Sequence, residues 1–88
     1  MYIVYADRHG DTPDSQRRQS FAAKSFTLAL SPDGSSGTVV LEPDGRALRV
    51  GNADHGYSRI RIFDERGSLA GAMNFHGGTV HWTVPQKF

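Results

Sequence analysis

Apolar and polar side chains alternate with a period of two along most of this chain, most clearly between Ser58 and Val84. Ile60 and Ile62 fall on one side, with Arg59, Arg61 and Phe63 on the other. Leu69, Gly71, Met73 and Phe75 alternate with Ser68, Ala70, Ala72 and Asn74, and Val80, Trp82 and Val84 alternate with Thr79, His81 and Thr83. An extended backbone sends successive side chains to opposite faces, so the spacing predicts three consecutive strands that share one apolar face. Gly71 sits on that face, where a missing side chain lets Trp82 or Phe75 lie over the backbone.

The pattern extends toward the N-terminus. Phe26, Leu28 and Leu30 alternate with Ser25, Thr27 and Ala29, and the run ends at Ser-Pro-Asp-Gly. Val39 and Leu41 alternate with Thr38, Val40 and Glu42 up to Glu-Pro-Asp-Gly, and Leu48 and Val50 alternate with Ala47 and Arg49. Both Pro-Asp-Gly turns supply a proline for the second turn position and a glycine able to take a positive φ. Asp64-Glu65-Arg66-Gly67 and His76-Gly77-Gly78 make the last two turns. Residues 2–6, Tyr-Ile-Val-Tyr-Ala, have strand composition, with Tyr2, Val4 and Ala6 facing one way and Ile3 and Tyr5 the other. Between Asp7 and Gln19 the chain is polar and reads as a loop. Asp14 could cap a short helix from Ser15 to about Ala23, or a strand begins early, near Gln19.

The resulting expectation is an all-β, antiparallel meander of six to seven strands forming a small sandwich or barrel, with at most one short helix near 15–23 and a single domain over residues 1–88. The expected inward set is Phe26, Leu28, Leu30, Val39, Leu41, Leu48, Val50, Ile60, Ile62, Leu69, Met73, Phe75, Val80, Trp82 and Val84. A core of that size leaves little surplus over the entropy of folding, and a homodimer that extends it would supply more.

Composition narrows the function classes. The chain has no cysteine, which excludes thiolate metal sites, disulfides and cysteine nucleophiles. No apolar run approaches the ~20 residues of a membrane span, and the opening residues lack the pattern of a secretory signal, so the expected location is the cytoplasm and no membrane partner is expected. Ten basic residues against nine acidic ones argue against strong non-specific binding to polyanions, although basic residues outnumber acidic ones from Arg46 onward.

Three sets of residues could carry chemistry. Asp7, His9 and Asp11 share a face if extended and are weak candidates for a divalent cation. His55, His76 and His81, with Asp54, would make a metal or acid-base site if the turns brought them together, although an exposed histidine needs no function. Arg49, Arg59, Arg61 and Phe63, with His81 nearby, would present guanidinium groups and an aromatic ring on the outer face, suited to a partner protein or to nucleotide bases. No nucleophile elbow, phosphate loop or zinc-protease motif occurs, so no enzyme and no cofactor is expected. The small outward residues Ser25, Thr27, Ala29, Thr38, Ala47, Ala70, Ala72, Thr79 and Thr83 suggest a flat docking surface. The leading expectation is therefore a protein-interaction module, an inhibitor or adaptor of a bacterium or phage. A nucleic-acid-binding barrel that uses the outward arginines and Phe63 is the alternative.

Overall fold

The computed structural model describes residues 1–8, 17–51 and 56–84. They form eight strands: β1 (Tyr2–Arg8), β2 (Arg18–Ala23), β3 (Ser25–Leu30), β4 (Ser36–Glu42), β5 (Arg46–Gly51), β6 (Tyr57–Phe63), β7 (Leu69–His76) and β8 (Thr79–Thr83). The fold is all-β, and the six strands expected between Lys24 and Val84 are β3 to β8. No helix among the described residues is long and apolar enough to cross a membrane.

The helix expected near 15–23 is replaced, from Arg18 onward, by β2. This strand pairs antiparallel with β1 from Asp7 opposite Arg18 to Tyr2 opposite Ala23. The edge of β1 carries backbone amides and carbonyls that need partners. A strand supplies them while turning Phe21 and Ala23 toward the core, whereas a helix here would have too little apolar surface to hold it. Asp14, the expected cap, lies outside the described residues.

The eight strands form one mixed sheet, not a plain antiparallel meander. Its path is β2-β1-β6-β5-β4-β3, with β7 on β6 and β8 on β7. Alternation determines which face of a strand is buried but not which strand lies beside it, so the insertion of β1 between β2 and β6 leaves no trace in the pattern. Two antiparallel units result, β2-β1-β6-β7-β8 and β3-β4-β5. Among the described residues one parallel bridge, Val50 to Tyr57, connects them. The units face each other across the core, where Phe26 of β3 packs edge-on to Tyr2 of β1 at 5.2 Å and against Trp82 of β8 at 6.1 Å. The amide of Val80 on β8 donates to the Gly34 carbonyl in the β3–β4 turn at 2.8 Å.

The core comprises Val39, Leu41, Leu48 and Val50 on one side and Val4, Ala6, Ile60, Ile62, Met73 and Val80 on the other, closed by Ala23 and Tyr57. Four residues of the expected inward set are exposed instead: Leu28 (38%), Leu30 (47%), Leu69 (37%) and Val84 (54%). The first two lie on β3, which ends the sheet and, among the described residues, has only β4 beside it. Leu69 begins β7 next to the register shift at Ile62/Phe63, and Val84 follows the last strand. Trp82, Phe75 and Phe26 are half-buried and pack against the core from its margin. Ala72, expected outside, is buried.

Trp82 does lie over Gly71: a Cβ built on Gly71 would fall on the six-membered ring of Trp82, well inside van der Waals contact. The β7–β8 turn uses Gly77 and Gly78 at φ of 62° and 85°, the double positive φ that matches the twist of a two-residue hairpin. Asp33 organises the β3–β4 turn by accepting from the Ser31 and Ser35 hydroxyls and the Ser35 amide, and these bonds lower its carboxyl to about 2. The second Pro-Asp-Gly turn differs from the first in its cis Glu42–Pro43 peptide.

Candidate functional site

Register in the five-stranded unit aligns the outward side chains in rows. One row runs Arg18, Asp7, Arg59, Asn74, His81 across β2, β1, β6, β7 and β8. The next runs Ser20, Tyr5, Arg61, Ala72, Thr83, and a third contains Ala22, Ile3, Phe63 and Leu69. Each strand contributes alternate residues to this face, so the period read from the sequence builds the site directly. Of the expected binding residues, Arg59, Arg61, Phe63 and His81 share the face. Arg49 does not join them: it lies on β5 opposite Thr38 in the other unit.

Asp7 is the centre of the first row. Its side chain is 11% exposed, and Arg18 Nε donates to its Oδ1 at 2.7 Å. Arg59 Nε and a terminal Arg59 nitrogen donate to Oδ2 at 3.0 and 2.8 Å, and Arg61 reaches the same oxygen at 3.5 Å. Burial works to raise the Asp7 carboxyl, but the hydrogen bonds and charges of Arg18 and Arg59 outweigh it and hold the group below its ordinary value. The same contact raises Arg18. The Asp7 carboxylate is engaged by guanidinium groups; His9 and Asp11, read with it as cation candidates, lie outside the described residues. Among the described residues no three His, Cys, Asp or Glu side chains come close enough to hold a metal ion.

An open cleft of about 680 Å³ lies beside this pair, lined by Arg8, Arg17, Arg18 and Arg59, with Asp7, Ser58 and Phe75 completing its walls. Among the described lining residues, the guanidinium groups of Arg18 and Arg59 both engage the one carboxylate, Asp7, and outnumber it. Arg8 stacks over the Tyr57 ring at 4.4 Å and donates to Gln19 Oε1 at 2.8 Å, the same oxygen that accepts from the Tyr57 hydroxyl. The next two rows carry aromatic surface. Tyr5 and Phe63 meet edge to face at 5.8 Å, and the Arg61 guanidinium lies 5.8 Å from the Tyr5 ring. Arg61 is the least committed of the three arginines around Asp7, because its contact is long and its buried Nε–H finds no acceptor among the described residues. A buried donor without an acceptor is uncommon enough to mark the place where a ligand oxygen would be welcome.

His81 ends the row, its Nε2 bonded to Thr79 Oγ1 at 2.9 Å, and that hydroxyl donates to the His76 carbonyl at 3.3 Å. The two histidines therefore belong to one turn network, and His55 and Asp54 lie outside the described residues. Sequence reasoning missed Arg8, Arg17, Arg18 and Tyr5 as site residues. The available signal was the odd-numbered face of β1, which places Tyr5 and Asp7 together once the strand is carried past Ala6. Arg17 and Arg18 were hidden by reading their segment as loop or helix.

No protein-family model, curated protein or solved structure matches this chain.

Proposed function

We propose that this domain binds single-stranded nucleic acid on the outer face of β2, β1, β6 and β7, without catalysis. The observation that supports the reading is continuity: Arg18 and Arg59 of the arginine cleft stand in the first outward row, and Tyr5 and Phe63 follow on the same face, two residues along β1 from Asp7 and four along β6 from Arg59. Guanidinium groups bind phosphates and tolerate any sequence, and exposed rings on a sheet stack unpaired bases. Near-neutral overall charge does not oppose this, because the basic residues needed are gathered in one cleft.

Fluorescence anisotropy with short single-stranded oligonucleotides, over salt from about 50 to 200 mM, tests the proposal. Affinity falls with salt, and changing both Arg59 and Arg61 to Ala flattens the slope by about 0.7 for each phosphate that is no longer neutralised. No binding at the lowest salt, or a slope the double variant leaves unchanged, overturns it.

A protein partner is the second reading, favoured by β3. This strand ends the sheet, pairs with β4 alone among the described residues and carries exposed Leu28 and Leu30, the condition under which another chain can add a strand. Light scattering after size exclusion separates a homodimer formed at that edge from a monomer.

A further inference from the structure

We infer that the open edge of β3 pairs with the β3 edge of a second copy of this chain about a two-fold axis, so that the β5-β4-β3 ladder of one copy continues into that of the other. The inference rests on the protein-partner reading of β3 and adds which partner it takes and in which register.

The backbone of β3 is half used. The Ser31 amide donates to the Ser36 carbonyl at 2.8 Å, and the same register holds back to Ser25 opposite Glu42. Antiparallel pairing alternates hydrogen-bonded with non-hydrogen-bonded pairs, so the odd residues bond to β4 while the amides and carbonyls of Phe26, Leu28 and Leu30 face away from it. The side chains of these three residues point to the core side of the sheet, yet Leu28 and Leu30 are 38% and 47% exposed, with no strand beyond β3 among the described residues. Open main-chain groups and uncovered leucines therefore lie along one line, and one added strand satisfies both.

Charge selects the occupant. Of the strands that end the sheet among the described residues, β2 carries Arg18, and β8 carries His81 and has its Val80 amide bonded to the Gly34 carbonyl. β3, Ser-Phe-Thr-Leu-Ala-Leu, contains no charged residue and no proline, the features that keep edges apart. Lys24 precedes it and Asp33 follows it in the turn, both exposed. Two copies run antiparallel about a two-fold axis, so the Lys24 end of each meets the Asp33 end of the other and no like charges are opposed. Keeping both apolar rows on one side of the sheet requires even residues opposite even ones. With Leu28 on the axis it faces the second copy's Leu28, Phe26 faces the second copy's Leu30, and each such pair exchanges two main-chain hydrogen bonds.

Light scattering after size exclusion at micromolar protein tests this. The wild type is expected at twice the mass of one 9.7 kDa chain. Leu28→Lys and Leu28→Glu each set like charges opposite one another on the axis and are expected at the mass of one chain, while an equimolar mixture of the two regains the doubled mass. Leu28→Cys probes the same contact without a charge: the chain has no other cysteine, and hydrogen-bonded partners lie about 5.5 Å apart at Cα, within disulfide reach. On mild oxidation it is expected to form a covalent dimer, whereas Leu69→Cys, with the wild-type side chain 37% exposed in the other unit, stays single. A monomeric wild type overturns self-pairing and leaves the edge open to a strand of another protein. A dimer that survives Leu28→Lys, or a Leu69→Cys that cross-links as readily as Leu28→Cys, overturns the use of this edge. A mixture that stays at the mass of one chain while both charge variants are folded by circular dichroism overturns the Leu28 axis; where either is unfolded, the cysteine pair decides.

Discussion

Replacing Asp7 by Asn preserves shape and removes charge, so it isolates what the carboxylate does for the fold and for the cleft. The wild-type group accepts on both oxygens, from Arg18 on one and from Arg59 and Arg61 on the other. An amide has one acceptor oxygen, so whichever way the introduced side chain turns, its NH2 group faces a guanidinium donor. Hydrogen bonds to charged groups contribute about 1.5–3 kcal/mol where they are shielded. Here the Arg18, Arg59 and Arg61 side chains are 58%, 43% and 27% exposed and remain hydrated when the carboxylate is removed. That discount leaves an expected loss of about 1–2 kcal/mol for Asp7→Asn, far from the cost of stranding a fully buried ion. For a domain of this size the melting temperature should drop by about 5–15 °C.

Urea unfolding at a series of pH values checks both magnitude and origin. The Asp7 carboxyl lies below its ordinary value in the folded state, so its stabilising effect is complete above the ordinary aspartate range, about pH 4, and fades as pH falls through the lower folded value. The gap between wild type and Asp7→Asn should therefore be full at pH 7 and close in acid. Equal stability at pH 7, or a gap that persists unchanged in acid, would refute the ion-pair account. The same variant should bind oligonucleotides more tightly at low salt, since it removes the carboxylate that Arg18, Arg59 and Arg61 engage.

Three further outcomes follow from the packing. Gly71→Ala should destabilise the fold by about 1–3 kcal/mol, and Trp82→Phe, which deletes the ring atoms in the way, should relieve part of that loss; additive losses in a double-mutant cycle would contradict the contact. Ile60→Ala, at a fully buried position, should lose about 2–5 kcal/mol by urea unfolding, and a loss comparable to that of a surface residue would displace Ile60 from the core. Asp33→Ala should remove an acid-sensitive contribution that the wild type loses as pH falls from about 4 toward about 2, so a wild-type acid unfolding curve unchanged by the substitution counts against the turn network.

Local alternation carried most of the fold. Ile60, Ile62, Met73 and Val80 are buried as their parity requires, and Arg59, Arg61 and Phe63 share an outward face for the same reason. Parity failed at the margins. Leu28 and Leu30 alternate as well as any residues in the chain, yet their strand ends the sheet, and nothing in a periodic pattern states how many neighbours a strand has. The candidate site was half legible. Its β6 residues could be read directly, but its centre required pairing between Asp7 and residues more than fifty positions away, an arrangement set by the insertion of β1 between β2 and β6. Arg18 stayed hidden because one aromatic and two alanines after it gave neither a helical stripe nor a full alternating run.

Among the described residues a single bridge, Val50 to Tyr57, joins the two units, and this bears on how the molecule loosens. Elsewhere neighbouring strands are stitched by ladders of five or more rungs, while the two units meet mainly through interlocked side chains. Oily contacts weaken together when solvent enters, and one rung offers little resistance. Amide deuteration should therefore reveal two protected blocks, with the seam between them exchanging first, so that the β3–β5 flap lifts from the arginine-bearing half before either block melts.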